Sequence, residues 1–134
     1  MLAPIPRTCR YWRVHSSAAH DPVGPPGAGR VWIDPLTPDV LWMAGEVDLP
    51  VVRAGGDALT ADDLNAVDVV DLTEVTFIDS SVVALLANLL LRRPPTASPL
   101  VVRNPPDLAL VILEIAGLLS AIELVVRTAD EPDR

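Results

Sequence analysis

The residues best placed to do chemistry are Asp79, Ser80 and Ser81, which stand between a β-branched run and a long apolar run. If the apolar run is a helix, these residues form its N-terminus, where backbone amides lack partners within the helix. A phosphate on Ser80 would be stabilised by the helix dipole and the free amides, and it would add roughly −1.5 to −2 charges to the surface. Serine or aspartate at that position also caps the helix, which typically stabilises it by about 1 kcal/mol. The residues alone therefore leave both a phosphoacceptor and a structural cap open.

Other catalytic arrangements find little support. A serine nucleophile at Ser80 or Ser81 needs a neighbouring base, and residues 31–134 contain neither histidine nor lysine. The neighbouring carboxylates Asp62 and Asp63 do not form a catalytic pair, because side chains of adjacent residues diverge. They indicate a solvated surface. The sequence therefore predicts no catalytic constellation.

Nucleotide and metal sites are not indicated either. The glycine-rich phosphate loops GxGxxG and GxxxxGK[ST] do not occur in the sequence. Cys9, His15 and His20, the residue types that commonly bind transition metals, all fall in the first 30 residues. We therefore predict a protein that is not an enzyme and has no metal and no cofactor of its own.

Length and composition predict one small folded domain. The chain has 134 residues, of which 50% are apolar and 21% are charged, enough for a sizeable core. The net charge of −8 disfavours nucleic acid and anionic lipid as partners. The richest apolar stretch, residues 82–91, is about half the length of a membrane-spanning helix. Because the N-terminus shows no export signal and the chain has one cysteine, we expect a cytoplasmic protein without membrane insertion.

Charge and composition set the first 30 residues apart. Residues 1–30 carry a net charge of +3, five of the fourteen prolines and three of the seven glycines, whereas residues 31–134 carry −11. A segment of this composition buries little apolar surface and tends to stay solvated. We predict a disordered segment over 1–30, a folded domain over 31–130 and a frayed C-terminus over 131–134.

The folded part begins with two strands and a helix. Strands are predicted at residues 31–33 and 40–45, separated by a proline-rich turn that is compatible with antiparallel pairing. A short helix is expected within residues 49–67, although Gly55 and Gly56 each cost about 1 kcal/mol in a helix interior. Short β-branched runs that alternate with helices are typical of an α/β fold.

The middle of the chain predicts a strand, a turn and a helix. Residues 67–72 (VDVVDL) are typical of a buried central strand, and residues 73–81 (TEVTFIDSS) lead out of it. Residues 82–93 are apolar on nearly all sides and end before Pro94, which indicates a helix packed on a sheet.

The last third adds a strand, a helix and a final strand. The strands are predicted at 100–102 and 122–127, and the helix between them starts after a cap at Asn104, with Pro105 and Pro106 in its first turn. Gly117 is expected in the left-handed position after the helix end. Spacing of i, i+3, i+4 and i+7 predicts one buried face, made of Leu108, Val111, Ile112 and Ile115. The order is therefore β-β-α-β-α-β-α-β, with about five strands.

Three segments of the chain carry a family resemblance. Residues 69–93 contain a buried strand, a Thr-rich turn, Asp-Ser-Ser and a helix. Residues 45–48 read Gly-Glu-Val-Asp, and residues 101–118 contain a strand, an Asn-Pro turn, a helix and Gly-Leu. In this order and over about residues 31–128, they resemble STAS domains, the family of bacterial anti-sigma factor antagonists.

The resemblance implies a mixed sheet covered by helices mainly on one face, and a regulatory cycle in place of catalysis. The unphosphorylated antagonist would bind an anti-sigma factor, usually a serine kinase of the ATPase type, and thereby free a sigma factor. Phosphorylation of the antagonist would dissociate the complex. A weak homodimer is also left open.

The resemblance also implies site residues. By position in the motif, Ser80 would be the phosphoacceptor. The partner contacts would come from Glu46, Asp48, Asp79, Ser81, Val82 and Val83.

The segment after Ser80 differs from the common family pattern. The family usually has Gly and then Leu after Asp-Ser-Ser, whereas Val82 and Val83 stand here, and β-branched residues are expected to add bulk beside Ser80. A second function therefore stays open: a STAS interaction module that is not phosphorylated, in a signalling scaffold or a lipid-transport assembly. For that module, Leu110 and Leu113 are predicted as exposed contact points.

Overall fold

A computed structural model describes residues 28–126, which form one five-stranded sheet with helices. The strands are β1 (Arg30–Ile33), β2 (Val40–Val47), β3 (Val69–Ile78), β4 (Leu100–Arg103) and β5 (Ile122–Val125). The helices are α1 (Leu49–Ala58), α2 (Ala61–Asn65), α3 (Ser80–Arg92) and α4 (Asp107–Ile115), and a 3-10 turn (Leu119–Ala121) precedes β5. Residues 1–27 and 127–134, and with them the predicted N-terminal segment and C-terminus, lie outside the described residues.

The sheet is mixed, with the strands in sequence order. β1 pairs antiparallel with β2, whereas β2 to β5 are all parallel neighbours. The predicted α/β class, the strand count and the element order are confirmed, and α2 and the 3-10 turn are additions. Because parallel strands end on the same side, the carboxyl ends of β2 and β3 meet at one edge of the sheet.

The helices pack on one face of the sheet, as the resemblance implied. The main core joins inward residues of the strands to inward residues of the helices, among them Leu41, Met43, Leu72, Val102, Val82, Leu86, Leu89 and Leu113. The opposite face carries a second, smaller apolar cluster of Val40, Trp42 and Val69, against which Trp32 and Val101 pack. We call this opposite side of the sheet the helix-free face, because no helix within residues 28–126 contributes to its cluster.

β3 is longer than the predicted central strand. It runs to Ile78, so most of the stretch predicted as a turn is strand, and β2 likewise continues past Gly45 to Val47. Gly45 has a φ of 73° beside an irregularity in the β2–β3 pairing, a conformation that glycine adopts without strain. The two extensions carry both strands to the edge where the Asp-Ser-Ser segment begins.

The segment before β3 contains two helices in place of the single predicted one. Gly55 lies inside α1 where a Cβ would come within 2.7 Å of the Val31 Cβ, so glycine allows α1 to approach β1 closely. α2 begins with a capping box, in which the Thr60 side chain accepts from the Asp63 amide and Asp63 accepts from the Thr60 amide.

The predicted buried face of α4 is wrong. Its fully buried residues are Ala109 and Leu113, and Ile112 is half-buried. The other three predicted core residues lie outside: Leu108 is 53% exposed, Val111 49% and Ile115 81%. A helix that is apolar on most sides supports more than one i, i+3, i+4 pattern, and here the small Ala109 allows close packing on the sheet.

The start of α4 also differs from the prediction. Pro106 occupies the N-cap position and provides no side-chain hydrogen bond, so Asn104 is not the cap. Asn104 instead adopts a φ of 52° and donates from Nδ2 to the Thr73 hydroxyl at 2.9 Å. At the other end, Gly117 has a φ of 79°, which confirms its predicted left-handed position.

None of the helices in the described part of the chain is long and apolar enough to cross a membrane.

Candidate functional site

Two neighbouring strands end side by side at the carboxyl edge of the sheet. Val47 of β2 and Ile78 of β3 are partners in parallel register, so the residues that follow them, Asp48 and Asp79, lie at the same edge. Asp48 begins α1 and Asp79 begins α3. The fold thus brings together the Gly-Glu-Val-Asp segment and the Asp-Ser-Ser segment, which are about 30 residues apart in the sequence.

Asp79 holds the first turns of both helices. Its Oδ1 accepts a hydrogen bond from the Ser81 amide at 2.9 Å, within α3. Its Oδ2 accepts from the Leu49 amide at 3.2 Å, and Leu49 is the first residue of α1. One carboxylate therefore satisfies an otherwise unpaired amide in each helix and links the two helix starts.

Asp48 has a narrower role. Its Oδ1 accepts from the Val51 amide at 3.3 Å, which caps α1 only. The two caps have nearly the same backbone, with φ and ψ of −119° and −174° at Asp48 and −121° and −171° at Asp79. The difference between them lies in what their second oxygens contact.

The hydrogen bonds of Asp79 stabilise its charged form. Partial desolvation raises the pKa of Asp79, but hydrogen bonds from the Ser81 hydroxyl, the Ser81 amide and the Leu49 amide outweigh it, so the pKa lies below its usual value. A carboxylate with a lowered pKa and both oxygens engaged is a weak general base. Asp79 is therefore suited to hold the helix starts and is poorly suited to activate a serine.

The two serines at the start of α3 have different surroundings. The Ser81 side chain is half-buried and its hydroxyl donates to Asp79 Oδ1. Ser80 is exposed, and its hydroxyl forms no hydrogen bond with the part of the chain that the structure describes. Ser80 is thus the hydroxyl that an outside enzyme could reach.

The start of α3 offers fewer free amides to a phosphate on Ser80 than the sequence predicted. The amide of Ser81 donates to Asp79 Oδ1, and the amide of Val82 donates to the Asp79 carbonyl at 3.1 Å. These two amides are already satisfied, so the prediction of free amides around a phosphate on Ser80 is wrong for both. The helix dipole still favours negative charge at this end of α3.

Val82 does not take the position predicted for it, whereas the partner contact of Val83 stays a prediction. Val82 is 0% exposed and belongs to the main core, so it cannot contact a partner of the folded domain. Val83 is half-buried and packs against the same core. The predicted bulk beside Ser80 is therefore absent at Val82, because its side chain points away from the surface.

Comparison with known proteins agrees with this architecture. A family model described as "Mlab, STAS domain" matches residues 35–126, more than half of the chain. The chain belongs to the STAS domain family. No curated protein sequence matches it.

A solved structure shows the same fold as this STAS domain. The structure of the Bacillus cell fate determinant SpoIIAA in the phosphorylated form superposes with a TM-score of 0.53 and 19% sequence identity. The match covers 77% of this chain and 94% of the other. STAS domains of this fold are generally regulatory and non-enzymatic.

The carboxyl edge of the STAS domain also exposes two apolar residues that the sequence analysis missed. Leu49 and Phe77 are each 43% exposed. Phe77 is paired in register with Glu46, which is also exposed, and both precede the strand ends next to Asp48 and Asp79. No local signal distinguishes Leu49 and Phe77, because the residues directly before the two aspartate caps, Val47 and Ile78, are equally apolar and are buried.

The carboxyl edge as a whole mixes two kinds of side chain. It combines acidic residues with exposed apolar ones: Glu46, Asp48, Asp79, Leu49 and Phe77. Within residues 28–126, no group of three or more histidine, cysteine, aspartate or glutamate residues is arranged to hold a metal ion.

Proposed function

We propose that this STAS domain is a cytoplasmic anti-sigma factor antagonist. It binds an anti-sigma factor that is a serine kinase of the ATPase type, and it is released when that kinase phosphorylates Ser80. The cycle regulates transcription that depends on the freed sigma factor.

The exposed hydroxyl of Ser80 carries the proposal. Ser80 lies at the start of α3 next to the carboxyl ends of β2 and β3, while Ser81 is engaged by Asp79. The buried Val82 leaves the approach to Ser80 without the bulk expected from its side chain. The fold is also that of a Bacillus protein whose structure was solved in a phosphorylated form.

The charge around Ser80 indicates how phosphorylation would release a partner. Glu46, Asp48 and Asp79 already make this edge acidic, so a complementary partner surface is neutral or basic. Repulsion of an acidic partner is therefore a poor explanation for release. A phosphate on Ser80 would instead bring roughly two negative charges and their bound water into a closely packed contact. Removing that water costs free energy, so the partner is released.

Phosphate mapping tests the acceptor. The full chain is incubated with ATP, magnesium and the serine kinase that co-purifies with it, and the phosphorylated residue is identified by mass spectrometry. We expect phosphate on Ser80, loss of labelling in Ser80→Ala, and normal labelling in the matched control Ser81→Ala. Equal labelling of wild type and Ser80→Ala removes Ser80 as the acceptor.

A charge mimic tests the release. We expect Ser80→Asp to weaken binding to the kinase at least about tenfold, the effect of about 1.4 kcal/mol, with a nearly unchanged circular dichroism spectrum because the residue is exposed. Ser80→Asn, of similar size and without charge, serves as the control. Loss of the folded spectrum in Ser80→Asp would favour the role of a structural cap.

A second candidate function is a STAS interaction module that is not phosphorylated, in a signalling scaffold or a lipid-transport assembly. The contact points predicted for it are wrong, because Leu113 is fully buried and Leu110 is half-buried. The same helix nevertheless exposes Leu108, Val111 and Ile115, an apolar stripe that could support a permanent contact. If this second function is correct, Val111→Glu abolishes capture of the partner and Ser80→Asp leaves it unchanged. If the first function is correct, Ser80→Asp weakens capture and Val111→Glu leaves it unchanged.

A further inference from the structure

Phe77 lies at a bulge in the pairing of β2 and β3. Gly45 is paired with Val75 and Glu46 with Phe77, so Thr76 is an extra residue in β3. Bulges are rare between parallel strands, and they commonly re-aim a side chain. The bulge therefore decides which side chains at the end of β3 reach the core.

The extra residue reverses the alternation of side chains at the end of β3. Successive side chains of a regular strand point to opposite faces, so with Val75 in the core, residue 77 would also be inside and residue 78 outside. Here Val75 and Ile78 belong to the main core, whereas Phe77 is 43% exposed. Neither of the two apolar clusters formed by residues 28–126 includes Phe77. The bulge thus buries Ile78 and directs Phe77 away from the helices.

Phe77 is close to Ser80 along the chain. Ser80 follows three positions later, a distance of at most about 10 Å between the two Cα atoms. A stable contact covers about 800 Å² on each partner, which corresponds to a patch about 30 Å across. A contact centred on Ser80 is therefore wide enough to include Phe77.

Carboxylates and a second apolar side chain lie near Phe77. Its partner in register, Glu46, is exposed, and Asp79 follows two positions later. Leu49 is also 43% exposed and lies at the same edge, because its amide donates to Asp79 Oδ2 at 3.2 Å. An apolar patch flanked by carboxylates is complemented by an apolar recess with basic residues at its rim.

We propose that Phe77 is the apolar anchor through which this STAS domain binds its anti-sigma factor. The ring inserts into an apolar recess of the partner, and basic residues of the partner face Glu46 at the rim. Aromatic anchors supply much of the binding energy in protein interfaces, whereas exposed charges supply little. This inference rests on the proposed function: Phe77 determines how tightly the unphosphorylated domain binds, and Ser80 ends the contact.

Phosphorylation kinetics separate the anchor from the acceptor. The full chain is used as the substrate of the purified serine kinase that co-purifies with it, with ATP and magnesium. We expect Phe77→Ser to raise the KM for the domain at least about thirtyfold, the effect of truncating a central anchor. The kcat should be nearly unchanged, because Ser80 and the caps of α3 are intact.

An exposed apolar residue far from the carboxyl edge provides the matched control. Leu91 is 87% exposed and lies in α3, about 16 Å along the helix from Ser80. Leu91→Ser removes a similar apolar surface and should leave KM unchanged. Phe77→Leu keeps an apolar side chain and should restore part of the affinity.

Salt separates the ring from the rim. Glu46→Gln is expected to weaken binding less than about fivefold at low ionic strength, and this loss should disappear at high ionic strength. The loss in Phe77→Ser should persist at high ionic strength, because an apolar contact is not screened. A loss in Phe77→Ser that disappears with salt contradicts an apolar anchor.

The results distinguish failure of the anchor from failure of the proposed function. If the wild type is phosphorylated on Ser80 and Phe77→Ser has the same KM, the acceptor stands and the anchor is wrong. If the wild type binds the kinase without being phosphorylated, the proposed release is wrong. Equilibrium binding then decides the anchor: weaker binding of Phe77→Ser supports it, and equal binding overturns it.

A fluorine label tests the anchor without changing the fold. Phe77 is the single phenylalanine of the chain, so fluorophenylalanine gives one ¹⁹F resonance in the full-length protein. In the free domain, we expect this resonance to shift between H₂O and D₂O, because the ring is exposed to solvent. Saturation with the unlabelled kinase in the absence of ATP should abolish the solvent shift. A solvent shift that is the same in the complex means that the ring stays in water and overturns the proposal.

Discussion

The starts of α1 and α3 form a close comparison within the molecule. Each follows a parallel strand, each is capped by an aspartate, and the two caps have almost the same backbone angles. Asp48 accepts one hydrogen bond, from its own helix, whereas Asp79 accepts from Ser81 in its own helix and from Leu49 in the neighbouring one. The same residue type in the same local conformation thus acts as a simple cap in one place and as a link between helices in the other.

This difference depends on register. Because Val47 and Ile78 are partners, the first amide of α1 comes within reach of the carboxylate that begins α3. The proposed phosphoacceptor lies directly after that carboxylate. The start of α3 around Ser80 is therefore held in place by Asp79. This residue follows β3 and accepts a hydrogen bond from the first residue of α1, the helix that follows β2.

The largest effect is expected from removing the two caps. Asp79→Ala should lower the free energy of unfolding by about 2 kcal/mol, because it leaves an amide in each helix unsatisfied. Asp48→Ala, the matched variant, should cost about 1 kcal/mol. Denaturant unfolding of both variants measures the difference, and equal losses would show that the contact with Leu49 contributes nothing.

Acid should weaken the Asp79 link. Since the folded-state pKa of Asp79 is lowered, its contribution to stability is complete above the usual aspartate pKa of about 3.9 and is lost as the pH falls through the lowered value. We expect the stability difference between wild type and Asp79→Asn to shrink below about pH 4. Asp48→Asn is measured alongside as a control, and a wild type advantage that grows on acidification would contradict the assignment.

The smallest effect separates the two serines. Ser81→Ala removes the hydroxyl that donates to Asp79 and should cost about 0.5 to 1 kcal/mol. Ser80→Ala should change stability by less than about 0.5 kcal/mol, because the residue is exposed. A larger loss at Ser80 than at Ser81, in the same thermal or denaturant unfolding experiment, would reverse the roles of the two hydroxyls.

Local sequence was enough to predict most of the fold. β-branched runs separated by apolar helices identified the class and the element order, and the ordered motifs identified the family. The position of Gly117 was also predictable, because a left-handed residue after a helix end is a local property.

Features that depend on distant neighbours were not predictable. The buried face of α4 was predicted wrongly, since DLALVILEI offers several apolar faces and the sheet selects the one with Ala109. The second contact of Asp79 joins residues 30 positions apart. The burial of Val82 likewise depends on how α3 lies on the sheet, which the first-turn sequence does not reveal.

Gly29 determines how closely the chain before β1 approaches the end of β2. A Cβ at this position would collide with the backbone carbonyl of Glu46, so the chain passes the end of β2 with main chain against main chain. Any larger residue at position 29 would therefore push the start of β1 away from Glu46, two residues before Asp48 at the carboxyl edge of the sheet.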